Sequence, residues 1–265
     1  MPGARPDDAI DRARRLVERA ERVVVLTGAG ISTESGIADF RGPDGVWTKN
    51  PEAERLANLD VYRSSPEARR RSWQHRLASP AWRAQPNAGH HAVVALERRG
   101  KLDTLVTQNI DGLHLLAGSD PAKVVEIHGS MRDVVCLACG DRGPAGPTLD
   151  RVRGGEDDPA CLVCGGILKS ATISFGQSLV AADLLRAERA ARGCDLLLAV
   201  GSTLGVYPAA SLVPAAAQQG AAIVIVNADP TPFDPIADAV VGGRIGQVLP
   251  AIVGVPAPAG NGSPP

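Results

Sequence analysis

Residues 23–30 read VVVLTGAG, a short run of branched apolar side chains that leads directly into a glycine-rich turn. An apolar run without alternating polar residues is typical of a strand that is buried on both faces of a parallel sheet. Residues 8–21 place Ile10, Leu16 and Val17 on one helical face, which predicts an amphipathic helix before the strand. The sequence therefore begins with a helix, a buried strand and a turn, the order expected of an α/β fold.

Similar apolar runs recur along the chain and alternate with helical patterns. The runs lie at 102–107, 124–127, 196–200 and 222–226, and the helical patterns lie near 89–99, 179–192 and 208–219. This alternation predicts an α/β fold with a doubly wound parallel sheet.

The glycine turn after the first strand suits a phosphate site. Gly28 and Gly30 let backbone N–H groups approach a phosphate closely, and Ser32 is the expected cap of the following helix. A tight connection without a ligand also uses glycine, so the turn alone leaves both interpretations open. Its spacing differs from G-x-G-x-x-G, and no acid follows at the end of a second strand about 20 residues on, which disfavours an ordinary dehydrogenase.

Four of the five cysteines form two C-x-x-C pairs, which are separated by 21 residues. In a reducing compartment such pairs indicate a metal site before they indicate disulfides. Each pair is followed by glycine, as in zinc knuckles, and four thiolates fill a tetrahedral site without an open position. We therefore expect one structural zinc ion, held by Cys136, Cys139, Cys161 and Cys164.

The composition is that of a globular protein: 265 residues, of which 44% are apolar and 22% charged. A formal net charge of -1 gives no overall field for nucleic acid or an anionic membrane. No stretch approaches the ~18–20 apolar residues of a membrane helix, and the N-terminal segment lacks the apolar core of a signal peptide. The expected location is the cytoplasm.

Two segments interrupt this alternation of strands and helices. Residues 45–87 look helical, and residues 132–170 hold the cysteine pairs around a middle rich in Gly, Pro and Asp that cannot form a core alone. We expect a helical module at 45–87 and a zinc-binding module at 132–170. The rest is expected to form a discontinuous α/β domain and a disordered Pro/Gly/Ser-rich tail: 1–44, 88–131 and 171–253 for the domain, and 254–265 for the tail.

Polar motifs follow several predicted strands: GIADFRG (36–42), TQNIDGLH (107–114) and HGS (128–130). The carboxyl ends of parallel strands meet at one sheet edge, where α/β folds bind ligands. Amide, carboxylate and imidazole groups are therefore expected to gather there.

Together with further motifs, these segments resemble the sirtuins, NAD-dependent protein-lysine deacylases, here of the bacterial type, from about residue 8 to residue 250. The further motifs are PNAGH (86–90), SFGQ (174–177), GSTLGVYPA (201–209) and IVNAD (225–229). The resemblance implies that NAD and an acyl-lysine peptide enter between a Rossmann-like domain and a smaller zinc-plus-helical domain. It implies conversion of acyl-lysine and NAD to lysine, nicotinamide and O-acyl-ADP-ribose, with NAD as co-substrate.

The resemblance also implies roles for single residues. His128 is the expected general base, Asn109 is expected to position the ribose and a water, and Ile110 and Asp111 are expected to bind the nicotinamide carboxamide. For Asp111 a helix N-cap is the alternative. The other expected NAD contacts are Gly28, Ala29, Gly30, Ser32, Asp39, Phe40, Arg41, Trp47, Gln108, Gly201, Ser202, Thr203, Asn227, Asp229 and Ile245. The peptide is expected to add as a strand between two edges, Phe175 and Gly176 on one side and Leu204, Gly205 and Val206 on the other.

The acyl preference is less clear from the sequence. Lys169 and Ser170 stand where many sirtuins have Arg-Pro. The Tyr-x-x-Arg pair that marks desuccinylase members falls at Trp73 and Arg76. Arg76 suits an acidic acyl group, but Trp lacks the phenol hydroxyl, which favours acetyl over succinyl. Helix packing is the alternative reading of both residues.

Two other functions compete with deacylation. An NAD-dependent protein ADP-ribosyltransferase uses the same kind of pocket, but the presence of His128 favours deacylation. A zinc-ribbon adaptor or nucleic-acid module is disfavoured by the acidic residues of the cysteine segment, Asp141, Glu156, Asp157 and Asp158. The expected partners are acyl-lysine proteins or peptides, with no nucleic acid, no membrane and a monomeric state.

Overall fold

A six-stranded parallel sheet forms the centre of the structure, a computed structural model that describes residues 6–39, 45, 49 and 56–255. Its strands, in spatial order, are β3 (Val124–Glu126), β2 (Leu102–Thr107), β1 (Val23–Thr27), β7 (Leu196–Val200), β8 (Ala222–Val226) and β9 (Ala239–Val241). Every neighbouring pair runs parallel. Strands β4 to β6 belong to a separate small sheet. When they are left out of the count, the spatial order is 3-2-1-4-5-6, the order of doubly wound α/β folds, and it reverses between β1 and β7.

Helices cover both faces of this sheet. In chain order, the α-helices of the described residues are α1 (Pro6–Arg19), α2 (Leu59–Ser64), α3 (Pro66–Ala78), α4 (Ala88–Arg98), α5 (Leu113–Ala117), α6 (Ala145–Arg153), α7 (Ala181–Gly193), α8 (Leu212–Ala217) and α9 (Ile245–Val253). Helices α1, α4 and α9 pack on one face, and α7 and α8 on the other. Side chains of a strand alternate between faces, so Val23 and Val25 join the first core while Val24 and Leu26 join the second.

A three-stranded antiparallel sheet lies beside the four paired cysteines, of which Cys136 ends one of its strands. Its spatial order is β5 (Arg142–Pro144), β4 (Gly129–Cys136) and β6 (Leu168–Thr172). Its core joins the helical segment, because Trp73 of α3 packs with Leu149 of α6 and Leu168 of β6. Arg69 of α3 also donates from Nε to both carboxylate oxygens of Asp158, at 3.0 and 2.8 Å.

The predicted α/β architecture is confirmed. Four predicted strands have the observed bounds, and the one expected at 124–127 ends one residue earlier. Strand β9 was not predicted, because three apolar residues give no periodicity to distinguish a strand from a loop. The small sheet spans residues 129–172, whereas the sequence places the zinc module at 132–170.

Two local expectations concern the ends of elements. The prediction that Ser32 caps a helix was wrong, because Ala29–Ser35 is a 3-10 helix whose N-cap is Gly28, and Ser32 lies inside it. At the other end, Gly254 and Val255 follow α9 in an ordered turn, in which the Val255 N–H donates to the Pro250 carbonyl at 3.0 Å. The remainder of the expected tail, 256–265, lies outside the described residues.

Within the part of the chain that the structure describes, no helix combines the length and the apolar character that a membrane crossing requires.

Candidate active site

A cavity of about 1200 Å³ opens at the carboxyl edge of the parallel sheet, beside the point where the strand order reverses. It extends from the turn after β1 to the small sheet and α3. Most of the site residues predicted from the sequence line it: Gly28, Ala29, Gly30, Asp39, Gln108, Asn109, Ile110, His128, Phe175, Gly176, Gly201, Ser202, Thr203, Val206, Asn227, Asp229 and Ile245. The predicted residues Phe40, Arg41 and Trp47 lie outside the described residues.

Glycines make the floor of the cavity. The Gly30 N–H donates to the Gly201 carbonyl at 2.8 Å, which holds the turns after β1 and β7 in contact. A Cβ on Gly28 would lie 2.7 Å from the Gly201 carbonyl oxygen, and one on Gly201, at φ +64°, would lie 2.5 Å from the Ile31 nitrogen. Only glycine fits this crossing, which leaves a bare backbone cradle of the kind that accepts a dinucleotide phosphate.

A buried hydrogen-bond network lies directly under this cradle. The Asn109 amide nitrogen donates to the Gly28 carbonyl at 3.1 Å and to the Ser32 hydroxyl at 3.0 Å. The Ser32 hydroxyl in turn donates to Asp111 Oδ2 at 2.8 Å, which is why it caps no helix. Asp111 Oδ1 also accepts from the Leu113 N–H at 2.9 Å, at the start of α5. Ser32 and Asp111 therefore support the cavity floor from below and do not line it.

His128 lies where the parallel sheet meets the small sheet. Its Nδ1 is 3.1 Å from the Gln108 carbonyl oxygen, which can only accept, so Nδ1 carries the proton and Nε2 is left as an acceptor. Burial lowers the pKa of His128 below its usual 6.5, and the Gln108 hydrogen bond opposes this shift. The imidazole is therefore neutral at pH 7 and has the form of a general base.

Gly129 fixes the backbone that carries His128. It has φ +72°, and a Cβ there would lie 2.1 Å from the Ala171 carbonyl oxygen on β6. We expect Gly129→Ala to lower the free energy of unfolding by roughly 2–4 kcal/mol, through strain and displacement of β6. Chemical denaturation measures this. Gly100→Ala is the matched control, since Gly100 also has positive φ but meets nothing within 4 Å, and an equal loss in both variants would contradict the account.

The two expected peptide edges differ in how many of their residues line the cavity. Phe175 pairs with the helical segment, because its N–H donates to the Ala57 carbonyl and its carbonyl accepts from the Leu59 N–H, both at 2.9 Å. On the opposite edge Val206 lines the cavity, whereas Leu204, at φ +52°, turns into the second core. Leu204 and Gly205 thus do not line the cavity, and the Leu204 N–H is already donated to the Ser202 hydroxyl at 3.1 Å.

The structure adds residues that the motifs did not indicate. Glu34 and Arg244 line the cavity at the Ile245 end. Glu34 Oε1 accepts from the Gly246 N–H at 2.7 Å, and Oε2 accepts from Arg244 at 3.1 Å, which fixes the start of α9 against the glycine turn. The sequence could have indicated Glu34, since it lies inside the glycine-rich motif that follows β1. Tyr62 also lines the cavity, but no sequence signal singled it out.

Two histidines are buried beside this network. His90 and His114 have ring centroids 4.9 Å apart, and His114 Nε2 is 3.0 Å from the Thr27 hydroxyl. Both residues are almost fully buried, and neither His90 Nε2 nor His114 Nδ1 has a hydrogen-bond partner. Burial lowers the pKa of His90 from 6.5 to about 4 and that of His114 in the same direction. The fold therefore requires both rings in the neutral form.

This pair makes the protein sensitive to acid. A depressed folded-state pKa contributes stability that is present above pH 6.5 and is lost as the pH falls toward 4. We expect His90 alone to account for on the order of 3 kcal/mol of this loss. Urea titrations between pH 7 and 4 measure this loss of unfolding free energy. His90→Gln is expected to flatten the dependence of stability on pH. His91→Gln, which changes an exposed residue of α4, is expected to leave that dependence unchanged. Equal slopes for the wild type and His90→Gln would contradict this origin.

The four paired cysteines form a compact cluster. Their sulfur atoms all lie within 4.8 Å of one another, with Cys136 Sγ 3.5 Å from Cys164 Sγ and Cys139 Sγ 3.8 Å from Cys161 Sγ. A tetrahedral zinc ion with bonds of about 2.3 Å places sulfurs about 3.8 Å apart, so the cluster fits zinc. Among the described residues, no further His, Cys, Asp or Glu joins the four thiol ligands, which suits a structural ion.

Comparisons with known proteins agree with this geometry. A model of the Sir2 family matches residues 28–208. The NAD-dependent protein deacetylase 2 of Streptomyces coelicolor is 51% identical over 231 residues, which are 87% of this chain and 96% of that protein. A solved structure concerned with the mechanism and regulation of Sir2 enzymes is 40% identical with a TM-score of 0.85, covering 94% of this chain and 97% of the other. A Sir2 structure with a p53 peptide and NAD⁺ is 33% identical with a TM-score of 0.81, covering 91% and 95%.

These likenesses extend over both sheets, the glycine cradle and the cysteine cluster. The match is to whole proteins, because more than nine-tenths of each of these relatives is covered. The chain belongs to the Sir2 family, the sirtuins, and is an NAD-dependent protein deacylase.

Proposed function

We propose that this cavity removes acyl groups from lysine side chains of proteins, with His128 as the general base and Asn109 as the residue that positions the reacting groups. One observation carries the proposal: His128 lines the same cavity as the glycine cradle, its Nδ1 is fixed by the Gln108 carbonyl, and burial lowers its pKa. The peptide and NAD⁺ in the related Sir2 structure support this arrangement.

The chain's residues fit NAD at the cradle. Gly28, Gly30 and Gly201 line the cavity, and their close crossing, which admits no side chain, leaves bare backbone where the pyrophosphate would be held. Bound NAD supplies the ADP-ribosyl group that accepts the acyl group while nicotinamide leaves. Further contacts that we propose are those of Ala29, Ser202, Thr203 and Ile245, with Asn227 and Asp229 at the adenosine ribose and Asp39, Phe40, Arg41 and Trp47 in the cofactor loop.

The proposed proton transfer uses the free ring nitrogen of His128. Nε2 accepts a proton from a ribose hydroxyl, while the Gln108 carbonyl stabilises the charge that then develops on the ring. The Asn109 side chain lines the cavity, and its amide nitrogen is held there by the Gly28 carbonyl and the Ser32 hydroxyl. We assign the carboxamide of nicotinamide to Ile110 and to the loop that Asp111 fixes.

We propose that the acyl-lysine peptide lies as a strand between Phe175–Gly176 and Leu204–Val206. Recognition through backbone hydrogen bonds implies little dependence on the substrate sequence. The division into a Rossmann-like domain and a small domain, the monomeric state and a cytoplasmic location remain part of the proposal.

The test is the release of nicotinamide from NAD by the purified, zinc-loaded protein, with and without an acyl-lysine peptide. The proposal requires release that depends on the peptide, with one lysine freed per nicotinamide. Release at the same rate without any acyl-lysine would contradict it and would favour ADP-ribosyl transfer to another acceptor.

A further inference from the structure

The loop that follows β2 is held from outside the cavity by the start of β4. The carbonyl of Ile110, which lines the cavity, accepts from the Met131 N–H at 2.9 Å. The next carbonyl, that of Asp111, accepts from Arg132 Nε at 3.0 Å. The first contact joins backbone atoms, whereas the second depends on one side chain. Arg132 does not line the cavity, so an effect of this residue on the reaction has to pass through the loop.

The Arg132 side chain also lies directly against the α-carbon of Gly112, the last residue of this loop. A Cβ on Gly112 would be 2.5 Å from Arg132 Nε and 2.9 Å from its Cδ. Gly112 has φ +73° and is the N-cap of α5. The Arg132 side chain therefore contacts the loop at the point where it turns into α5.

The Arg132 guanidinium also lies over an aromatic ring of the helical segment. Its Cζ is 5.7 Å from the centroid of the Trp82 ring, within the range of a cation–π contact. Trp82 ends a short 3-10 helix, Pro80–Trp82, and its Nε1 donates to the Arg76 carbonyl of α3 at 2.7 Å. Arg132 thus connects the loop at the edge of the parallel sheet to the helical segment.

The charge of Arg132 acts on these two neutral groups. Among the described residues, no carboxylate forms an ion pair with its guanidinium, and the Asp111 carbonyl is its only hydrogen-bond acceptor. Asp133, the next residue of β4, pairs instead with Arg142 at 2.9 Å. A hydrogen bond from a charged donor is roughly twice as strong as one between neutral groups, and half-burial reduces its screening by salt. The contact is therefore stronger than an ordinary loop hydrogen bond.

We propose that Arg132 is a positioning residue for the nicotinamide-binding loop, residues 110–112, and that Trp82 holds its guanidinium in place. The inference deepens the proposed function and rests on it, because that function assigns the nicotinamide carboxamide to Ile110 and this loop. Without Arg132 the loop has one connection fewer to β4. It then opens more often and holds nicotinamide less tightly.

The first test needs no activity. Hydrogen exchange followed by mass spectrometry measures how often the loop opens in the protein without NAD. A peptide covering residues 109–113 includes the Leu113 N–H, which donates to Asp111 Oδ1. We expect Arg132→Met to raise its exchange rate about 10-fold. Arg132→Lys should restore part of the protection, because it keeps the charge but not the planar fork. Unchanged exchange in Arg132→Met would overturn the proposal.

Two further variants assign the effect. Arg142→Met is the matched control, since Arg142 is an exposed arginine of the same sheet that pairs with Asp133, and it should leave the exchange at 109–113 unchanged. Trp82→Leu should raise this exchange in the wild type and add nothing in Arg132→Met, because both residues act through one contact. Additive effects of the two substitutions would contradict the role of Trp82.

Inhibition by nicotinamide connects the loop to the reaction. In Arg132→Met we expect the nicotinamide concentration that halves acyl-lysine removal to rise about 3- to 10-fold, while the KM for the peptide stays unchanged. A residue that only stabilises the fold would change both values and the melting temperature together, without rescue by Arg132→Lys, and that result would overturn the proposal.

The outcomes also separate this inference from the proposed function. If the wild type releases nicotinamide only with the peptide, but Arg132→Met leaves nicotinamide inhibition unchanged, the positioning role fails while the proposed function stands. If the wild type shows no peptide-dependent release of nicotinamide, the proposed function fails and this inference fails with it.

Discussion

Replacing His128 by alanine is expected to lower the rate of lysine release by about 10²–10⁴-fold, the usual contribution of a positioned general base. The side chain makes one hydrogen bond, to the Gln108 carbonyl, and its loss leaves the backbone bond from the Ile173 N–H to the His128 carbonyl in place. The fold and the glycine cradle should therefore persist, and NAD binding should change far less than the rate.

The wild type should also show the base in its pH profile. Because burial holds the pKa of His128 below 6.5, kcat/KM should be constant near pH 7 and fall once the pH drops below that pKa. His128→Ala should lose this dependence. His91→Ala, which changes an exposed histidine of α4, serves as the control. A His128→Ala enzyme with more than a tenth of the wild-type rate would contradict the assignment.

The second large effect concerns the cysteine cluster. We expect Cys161→Ser to abolish zinc binding and to unfold the small sheet, because structural zinc contributes about 10–16 kcal/mol in small modules, as much as a whole domain's stability. The core of that sheet is small and includes Cys136 and Cys161 themselves, packed with Trp73 and Leu168. Deacylation should be lost with it, since β6 forms one wall of the cavity and β4 begins directly after His128.

The parallel sheet should survive this change, because its two cores contain none of the four cluster cysteines. Zinc content, thermal unfolding and circular dichroism measure the separate effects. Cys194→Ala is the control: Cys194 lies in the second core, so the variant should retain one zinc per chain. A Cys161→Ser protein that keeps both its small-sheet signal and full activity would contradict a structural role for the ion.

The fold was largely predictable because both faces of the central sheet are covered. Unbroken apolar runs such as residues 23–27 occur only where a strand is buried on both sides, and their alternation with helices leaves few topologies. The zinc cluster was equally predictable, since four thiols in two knuckles have one common use. β9 is the exception, because three apolar residues carry no periodicity and the strand forms only through its pairing with β8.

The site was predictable only where a motif carries it. His128, Asn109 and the glycine cradle follow strands, so the sheet edge brings them together. The role of Ser32 was not predictable, because its hydroxyl donates to Asp111, a residue 79 positions away in the sequence, and does not cap a helix. Likewise, Arg76 of α3 and Lys169 of β6 line one cavity only because α3 packs on the small sheet, and no local pattern indicates that packing.

The central claim is that this chain transfers the acyl group of a lysine to ADP-ribose at the cavity of His128. The most direct measurement is a single-turnover reaction in the presence of NAD, with enzyme in excess over an acyl-lysine peptide. Mass spectrometry then gives the amount of each product. The account predicts equal amounts of free lysine peptide, nicotinamide and O-acyl-ADP-ribose. Nicotinamide accompanied by an ADP-ribosylated protein or peptide, with the acyl-lysine intact, would contradict it.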